Sequence, residues 1–440
     1  MQSKKIFVLL AIALILRVLL MLWSFQHPTH KDILRFRDWA TIPYVHNLID
    51  PYEGRYLTFG TSPLNMPPGT LYIVSAMYRV NILAAKVIMK ITKTQPGELI
   101  WVNVWLTNVF LRTPVILGDV FIGYLIYALV RKYKNERRAL FAAGLYLFNP
   151  SILYIGSFWG QMDAIHNALF FLALFVFTKG KKFLALLFLF LSLYVKLTLI
   201  VVILPLIFAM FWFEKHKSKF VFSLLMVIFF ILLMTIPVSS SPHIWFYNFL
   251  QKNSLGEMDN ITSLATNAWW MIYKPHLKIG DPTSDFSFTL DQFIGSPSSA
   301  TVFFGVPLFT WALIIFFVVS FPLMRKAYML KEKMFKPDAL FLLLSVFSLL
   351  AFLFLPHMHE RYFFPFIPLM ATSIGLTGKH IWFFIVLSFL NFLNVYLVWH
   401  PMLHPSLPYW LMNDINFQWL ISLGTVLVGF VLYIKAKKLI

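Results

Sequence analysis

A short polar segment, residues 356–362, lies between two apolar runs in the last third of the chain. It contains His357, His359, Glu360 and Arg361. An ionisable side chain at bilayer depth costs roughly 2.5–3.5 kcal/mol on insertion scales, so such residues usually pair, face a wet cavity or mark a functional site. Arginine can hold a phosphate through two parallel hydrogen bonds, and a protonated histidine adds positive charge. If the chain spans a membrane, this segment indicates an anion-binding site.

The composition shows that the chain does span a membrane. Of its 440 residues, 59% are hydrophobic, 12% are charged and 48 are Phe, which is atypical of a soluble domain. The formal net charge is +19. The basic residues lie in short groups between apolar runs, as in cytoplasmic loops that follow the positive-inside rule, which argues against a nucleic-acid partner. The chain contains no cysteine and therefore no disulfide, thiolate metal site or thiol nucleophile.

Counting about 20 apolar residues per crossing predicts about twelve transmembrane helices. We therefore predict an all-α polytopic membrane protein with a single domain, residues 1–440. Lys4 and Lys5 precede the first apolar run, which places the N-terminus in the cytoplasm; the C-terminus falls there as well. Two large outer loops follow from this topology, residues 26–107 and 239–300. We expect the first to carry amphipathic interfacial helices.

The apolar stretch 183–213 is too long for a single ordinary span. As one helix, it would place the basic segment 214–219 on the outer side. As two short helices that break at Lys196, it places that segment inside, in agreement with the positive-inside rule. The sequence therefore predicts a break at Lys196.

The unusual polar residues all fall on the outer side of this topology. They are His30, Asp32, Asp38, Gln161, Asp163, His166, Lys196, His357, His359, Glu360 and Arg361. For any one of them, a helix-end residue solvated by lipid headgroups is the simpler interpretation. The convergence of the whole set on one face favours a functional site.

Carboxylates and cations in this set suggest complementary roles. Asp32 and Asp38 are six residues apart, so on a helix they point about 120° apart and do not form a joint pair. Asp32 could cap the helix that follows it, and Asp38 could pair with Arg35. A carboxylate near the interface can also be a general base toward a sugar hydroxyl, because partial desolvation raises its pKa. Basic side chains can stabilise a departing phosphate.

A zinc site is a weaker interpretation of the segment 356–362. His357 and His359 are two residues apart, and side chains at that spacing diverge on a helix. The segment also lacks the helical spacing of the common zinc motifs.

Four short motifs follow one another along the chain: Asp32 with Trp39, the Pro-Pro block 66–72, the segment 149–163 followed by Lys196, and His359-Glu360-Arg361. Their order resembles the GT-C glycosyltransferases, membrane enzymes that move a sugar from a polyprenyl-phosphate carrier. The resemblance is strongest to the endoplasmic reticulum glucosyltransferases of lipid-linked oligosaccharide assembly and to bacterial relatives of the second mannosyltransferase of the glycolipid (GPI) anchor pathway.

The resemblance implies roles for individual residues. Asp32 matches the catalytic base of the family, and Lys196, His359 and Arg361 lie in matching motifs. From their charge, we expect these three cations to bind the donor phosphate. We also expect His30, Asp38, Gln161, Asp163, His357 and Glu360 to contact the substrate. Leu34 stands where the eukaryotic branch has a second acidic residue, which favours a site without metal or other cofactor.

The expected function is that of an inverting glycosyltransferase of the plasma membrane, with an endoplasmic reticulum location as the alternative. It would move a hexose, mannose or glucose, from a polyprenyl-phosphate-linked donor to a lipid-linked or cell-surface acceptor at the outer face. Its expected partners are that donor, a glycolipid or other surface acceptor, and membrane lipids. The alternative function is a membrane transporter or lipid flippase, but the chain shows no paired halves of similar pattern. Outer loops folded over the site would favour the enzyme.

Overall fold

The computed structural model describes residues 4–26, 30–58, 61–93, 99–251, 259–279, 290–399 and 409–439. Helices predominate among them. The first twelve are α1 (Lys4–Ser24), α2 (Lys31–Val45), α3 (Asp50–Glu53), α4 (Pro68–Thr92), α5 (Leu99–Tyr133), α6 (Glu136–Leu147), α7 (Pro150–Ile152), α8 (Asp163–Phe177), α9 (Lys182–Val195), α10 (Ile200–Trp212), α11 (Lys217–Thr235) and α12 (Pro242–Phe249). The others are α13 (Ala268–Tyr273), α14 (Leu308–Leu330), α15 (Pro337–Phe354), α16 (Phe366–Thr377), α17 (Ile381–Val398), α18 (Tyr409–Asn413) and α19 (Ile415–Leu439).

Irregular helices and two small hairpins complete the described structure. A π-helix covers Leu153–Trp159, and 3-10 helices cover Leu197–Leu199, Lys331–Phe335 and Glu360–Phe363. Strands β1 (His276–Ile279) and β2 (Leu290–Ile294) pair antiparallel. Strands β3 (Val302–Phe303) and β4 (Val306–Pro307) also pair antiparallel, with Val302 opposite Pro307 and Phe303 opposite Val306.

The helical architecture confirms the predicted all-α polytopic membrane protein. Within the described residues, eight helices are long and apolar enough to cross a bilayer, or nine if the bent pair of segments 136–147 and 150–159 counts as one span. This is fewer than the twelve predicted. Four of the predicted spans are shorter helices: α8, α9, α10 and α16, of 15, 14, 13 and 12 residues.

Helix α4 lies within the segment predicted as the first outer loop. Its 25 residues are also long and apolar enough to cross a bilayer, so its length and composition do not decide between an interfacial and a spanning helix. Its first turns contact the C-terminal ends of two other helices. Thr70 donates to the carbonyl of Val195 at 2.6 Å, and Tyr72 donates to the carbonyl of Met234 at 2.6 Å. The start of α4 therefore lies at the same end of the bundle as Lys196.

The predicted break at Lys196 is confirmed. Helix α9 ends at Val195, and the backbone of Lys196 is extended, with φ −154° and ψ 133°. A 3-10 turn leads from there into α10. An extended residue between two helices lets the lysine side chain turn sideways toward its neighbours instead of following the helix axis.

The Pro-Pro block holds α4 against this break. Pro67 and Pro68 start α4, where the fixed φ of proline suits a first helical turn. Gly69 follows at the point of closest approach. A Cβ atom on Gly69 would lie 2.6 Å from the carbonyl oxygen of Tyr194, so only glycine fits there. The block is therefore more than a rigid turn, because it fixes the backbone next to Lys196.

A second apolar cluster packs the predicted first outer loop onto the bundle. It joins buried side chains of α2, α4 and α5, including Phe36, Trp39, Leu71 and Leu111. Met162, which immediately precedes α8, belongs to the same cluster. This packing sets the position of α2 relative to the start of α8.

A buried ion pair ties three helices together inside the bundle. The Nε atom of Arg17 on α1 lies 3.4 Å from Asp119 Oδ2 on α5, and both side chains are fully buried. The hydroxyl of Tyr146 on α6 donates to the other oxygen of Asp119 at 2.7 Å. Removing one partner of such a pair leaves an uncompensated buried charge, which is more harmful than removing both.

We expect Arg17→Met to destabilise the protein strongly, by about 3–5 kcal/mol, because the Asp119 carboxyl loses its ionic partner in an apolar environment. The double variant Arg17→Met/Asp119→Asn should recover most of that loss, since the amide is neutral. Apparent melting temperatures in detergent measure both effects. A double variant as unstable as the single one would show that lost packing, rather than unpaired charge, is the cause.

Candidate active site

The first turn of α2 presents Asp32 next to a histidine cap. His30 is the N-cap residue, and its Nδ1 atom accepts a hydrogen bond from the backbone N–H of Asp32 at 3.1 Å. The interpretation of Asp32 as the cap is therefore wrong. An accepting Nδ1 carries no proton, so the neutral ring of His30 has its proton on Nε2.

Asp32 is held by a side chain from another part of the chain. The amide of Gln161 donates to Asp32 Oδ2, and Arg35 Nη1 lies 3.5 Å from Asp32 Oδ1. The Asp32 side chain keeps 14% of its surface exposed. The carboxylate is thus oriented while remaining accessible.

A turn at Gly160 places Gln161 next to Asp32. The π-helix 153–159 ends at Gly160, whose φ is +85°, and the N–H groups of Gly160 and Gln161 both donate to the carbonyl of Ile155. A Cβ atom on Gly160 would lie 2.6 Å from Arg112 Nε and 2.9 Å from Ile33 Cδ1. Both the backbone conformation and the available space therefore require glycine.

A buried ion pair lies just beyond this turn. Lys196 Nζ and Asp163 Oδ1 are 2.8 Å apart, and the two side chains are 6% and 2% exposed. His166, one turn further along α8, contacts Thr198 Oγ1 at 3.0 Å through Nε2. The pair joins the start of α8 to the break between α9 and α10.

The segment predicted to bind anions forms a second charged group. Arg361 Nη1 donates to Glu360 Oε1 at 2.9 Å, and His359 Nδ1 lies 3.6 Å from Glu360 Oε2. The guanidinium of Arg361 lies 5.8 Å from the centre of the Trp159 ring. The amide of Asn391 on α17 donates to the carbonyl of Glu360 at 3.0 Å, which fixes the 3-10 turn.

These groups face one another and form one site. Arg361 interacts electrostatically with both Asp32 and Asp163, and Lys196 interacts with Asp32. The ring of Tyr362 lies 5.6 Å from Lys196 Nζ. We call the following set the Asp32 cluster: His30, Asp32, Gln161, Asp163, Lys196, His359, Glu360 and Arg361.

Neighbouring cations keep the carboxylates of the cluster charged. Burial alone would raise the pKa of Asp32, but positive charge at Arg361 and Arg35, and at His30 when that ring is protonated, holds it below its usual value. Burial lowers the pKa of His30, so this ring is neutral at neutral pH. Arg361 and Arg35 are therefore the charges that keep the pKa of Asp32 low under these conditions. The pKa of Glu360 is also lowered against the effect of burial, chiefly by Arg361.

Two residues predicted for the site lie outside the Asp32 cluster. Asp38 is buried and accepts hydrogen bonds from Thr58 N at 3.1 Å and Thr61 Oγ1 at 2.6 Å, so the interpretation that it pairs with Arg35 on a solvated surface is wrong. Its carboxylate fixes a loop. The ring of His357 packs against Phe309, with ring centres 5.5 Å apart.

Sequence reasoning missed the aromatic residues of the site. The ring of His30 packs edge-on against Trp159 and Trp399, at 4.8 Å and 5.3 Å between ring centres. Trp399 directly follows α17, at a helix end where a tryptophan normally indicates the membrane interface. Arg112 was also missed; it is buried beside Gly160 and donates to Ser24 Oγ at 2.6 Å.

Within the described residues, no group of three His, Asp or Glu side chains is arranged to hold a metal ion. The charged groups present are instead suited to hydrogen bonding. The cations Lys196 and Arg361 can bind an anion, and the carboxylate of Asp32 can accept a proton.

Fold and site together define a polytopic helical membrane protein with a buried charged site at one end of its bundle. No protein-family model matches the chain, and no curated protein matches its sequence. Among solved structures, the chain is similar to the crystal structure of ArnT from Cupriavidus metallidurans bound to undecaprenyl phosphate, at 13% identity and a TM-score of 0.45. That similarity covers 100% of this chain and 78% of the other. A likeness of this size supports no conclusion about substrate or mechanism.

We expect Gly160→Ala to lower stability more than Gly180→Ala. Both glycines have positive φ, 85° and 77°, so alanine carries a similar backbone strain of roughly 1–2 kcal/mol at each. A Cβ atom at Gly180 meets nothing within 4 Å, whereas at Gly160 it overlaps Arg112. The difference in apparent melting temperature between the two variants isolates this overlap. Equal decreases in apparent melting temperature would show that the Gly160 turn accommodates the Cβ atom without further loss of stability.

Proposed function

We propose that the protein is an inverting glycosyltransferase of the GT-C type that uses a polyprenyl-phosphate-linked sugar. It moves a hexose, mannose or glucose, to a lipid-linked or cell-surface acceptor at the outer face of a plasma membrane. The observation that carries this proposal is the Asp32 cluster. It holds an oriented, partly exposed carboxylate opposite two cations, the buried Lys196 and the partly exposed Arg361.

The cations supply the phosphate site. Arg361 uses Nη1 to bind Glu360, while its buried Nε has no hydrogen-bond partner among the described residues. A buried donor without a partner is costly, and a phosphate oxygen would satisfy it. The Nδ1 atom of His359 is likewise without a hydrogen bond within the described part of the chain. Lys196 adds a further positive charge next to Asp32.

Donor binding also prepares the base. In the free protein, Arg361 is one of the charges that lower the pKa of Asp32, which makes the carboxylate a weak proton acceptor. A bound phosphate offsets the positive field of Arg361. The pKa of Asp32 then rises toward the range in which a general base is effective. The donor therefore binds before Asp32 takes the proton.

The reaction is a single displacement. Asp32 takes the proton of the acceptor hydroxyl as that oxygen attacks the anomeric carbon. The bond between the anomeric carbon and the phosphate oxygen breaks, and the polyprenyl phosphate leaves with the electron pair. Arg361, Lys196 and His359 stabilise the negative charge on the departing phosphate. Attack from the face opposite the leaving group inverts the anomeric configuration.

A transporter or lipid flippase is the competing proposal, and the outer loops argue against it. Both loops contain folded elements in their described parts: α2 to α4 in the first, and α12, α13 and the hairpin β1–β2 in the second. The first loop contributes the proposed catalytic base itself. An alternating-access site, in contrast, usually lies near the bilayer midplane between two repeats.

We expect Asp32→Asn to reduce sugar transfer by about 10²–10⁴-fold, because the amide cannot accept the proton. Binding of the polyprenyl phosphate and the melting temperature should stay close to wild type. The assay follows radiolabelled sugar from polyprenyl-phosphate mannose and polyprenyl-phosphate glucose to membrane lipid extract, with chelator present.

Asp38→Asn is the matched control for this experiment. It changes the same residue type on the same helix, but its carboxylate binds Thr58 and Thr61. This variant should be less stable and yet retain the transfer rate per folded molecule. Undiminished transfer by Asp32→Asn would remove Asp32 from the base role, and loss of folding in that variant would assign it a structural role.

We expect Arg361→Lys to weaken binding of polyprenyl phosphate, because lysine keeps the charge but loses the guanidinium fork. Loss of one charge-assisted hydrogen bond costs about 1.5–3 kcal/mol, or roughly a tenfold to hundredfold rise in Kd. Arg325→Lys on α14, remote from the Asp32 cluster, serves as the control. Equal affinities of the two variants would place the phosphate elsewhere.

A further inference from the structure

The hairpin β3–β4 carries an unusual turn. Phe304 and Gly305 are its two central residues, and both have positive φ, 49° and 75°. Turns of this kind favour Asn-Gly or Asp-Gly, because a bulky side chain is strained at positive φ. A phenylalanine at the first position therefore disfavours the hairpin itself, and its presence calls for another explanation.

The tip of this hairpin is apolar and uncovered. Phe304 is 84% exposed, Val302 61% and Phe303 55%. The two phenyl rings pack edge to face, with centres 4.4 Å apart. Residues 293–324 include no Asp, Glu, Lys, Arg or His, so the hairpin itself and the first turns of α14 carry no charge. Such a tip is unfavourable in water and favourable in a lipid environment.

The hairpin is fixed at the end of an apolar helix of membrane length. Helix α14 begins directly after β4. Trp311 Nε1 donates to the carbonyl of Phe303 at 2.9 Å, and Leu308 N donates to the carbonyl of Thr301 at 2.9 Å. The tip therefore stays beside the point where α14 leaves the bilayer.

Backbone chemistry limits how deep the tip can go. A two-stranded hairpin has unpaired N–H and C=O groups on its outer edges, and these groups are not tolerated in the hydrocarbon region. Aromatic side chains, however, are enriched at the boundary between headgroups and acyl chains. A tip that enters the bilayer would therefore keep its strands among the headgroups, and only the two phenyl rings would reach the acyl chains.

We propose that the β3–β4 hairpin is a membrane-inserting tip, with Phe303 and Phe304 seated among the lipid acyl chains at the end of α14. The occupant of this apolar surface is bilayer lipid. The inference does not depend on the proposed sugar transfer.

Contacts link this tip to the segment that carries His359. Phe309 on α14 packs against His357, whose N–H donates to the carbonyl of Ile261 at 2.9 Å. Thr262 and Met358 form an isolated parallel bridge. The inserted tip thereby fixes the height of residues 357–359 relative to the membrane surface.

The absence of cysteine from the chain allows a direct test. In Phe304→Cys the only thiol lies at the tip, and a fluorescent label on it can be followed in liposomes that contain brominated lipids. We expect strong quenching by bromine in the acyl chains and weak quenching by aqueous iodide. A label at Ser298→Cys, near the base of the hairpin, should be quenched weakly by bromine in the acyl chains and strongly by aqueous iodide. Equal iodide quenching at both sites would overturn the proposal.

A second variant separates lipid insertion from folding. Phe304→Asn suits a positive φ, so in detergent its apparent melting temperature should equal or exceed that of wild type. Its gain in melting temperature on transfer from detergent to liposomes should be smaller than that of wild type. An unchanged gain would overturn the proposal. Shielding of the Phe304→Cys label from iodide that increases with protein concentration would also overturn the proposal, because that result identifies a protein contact.

Discussion

The buried ion pair between Lys196 and Asp163 is the interaction on which the arrangement of the site depends. Lys196 lies at the break between α9 and α10, and Asp163 is the first residue of α8. At 2.8 Å the pair joins these two points inside an apolar bundle, where either charge alone would be strongly unfavourable. The contact of Thr70 with Val195 adds α4 to the same point.

Irregular backbone places the remaining groups around this pair. The π-helix 153–159 ends at Gly160 and presents Gln161, while a 3-10 turn presents Arg361. Such backbone is tolerated at membrane depth only where protein or a polar cavity satisfies its hydrogen bonds. In both segments, the irregular backbone directs a polar side chain, Gln161 or Arg361, into the site. The hydrogen bond from Gln161 to Asp32 then connects the bundle to the predicted first outer loop.

The sequence predicted the features that follow from charge and residue type. The positive-inside rule predicted the break at Lys196, and polar residues at the ends of apolar runs predicted most of the Asp32 cluster. The sequence does not reveal contacts between side chains that are far apart along the chain. Nothing local indicates that Asp38 binds Thr58 and Thr61, or that Trp399 meets His30. The twelve predicted spans exceed the eight or nine membrane-length segments of the described residues because α8, α9, α10 and α16 are shorter helices. The break at Lys196 already predicted that α9 and α10 are short.

The most direct measurement of the central claim is a cryo-EM structure of the protein with bound polyprenyl phosphate. The claim is that the Asp32 cluster binds the phosphate of the sugar carrier. The account predicts phosphate density within hydrogen-bonding distance of Arg361 and Lys196, with Asp32 open toward the space beside it. Phosphate density at the opposite end of the bundle, with Arg361 still bound only to Glu360, would contradict it.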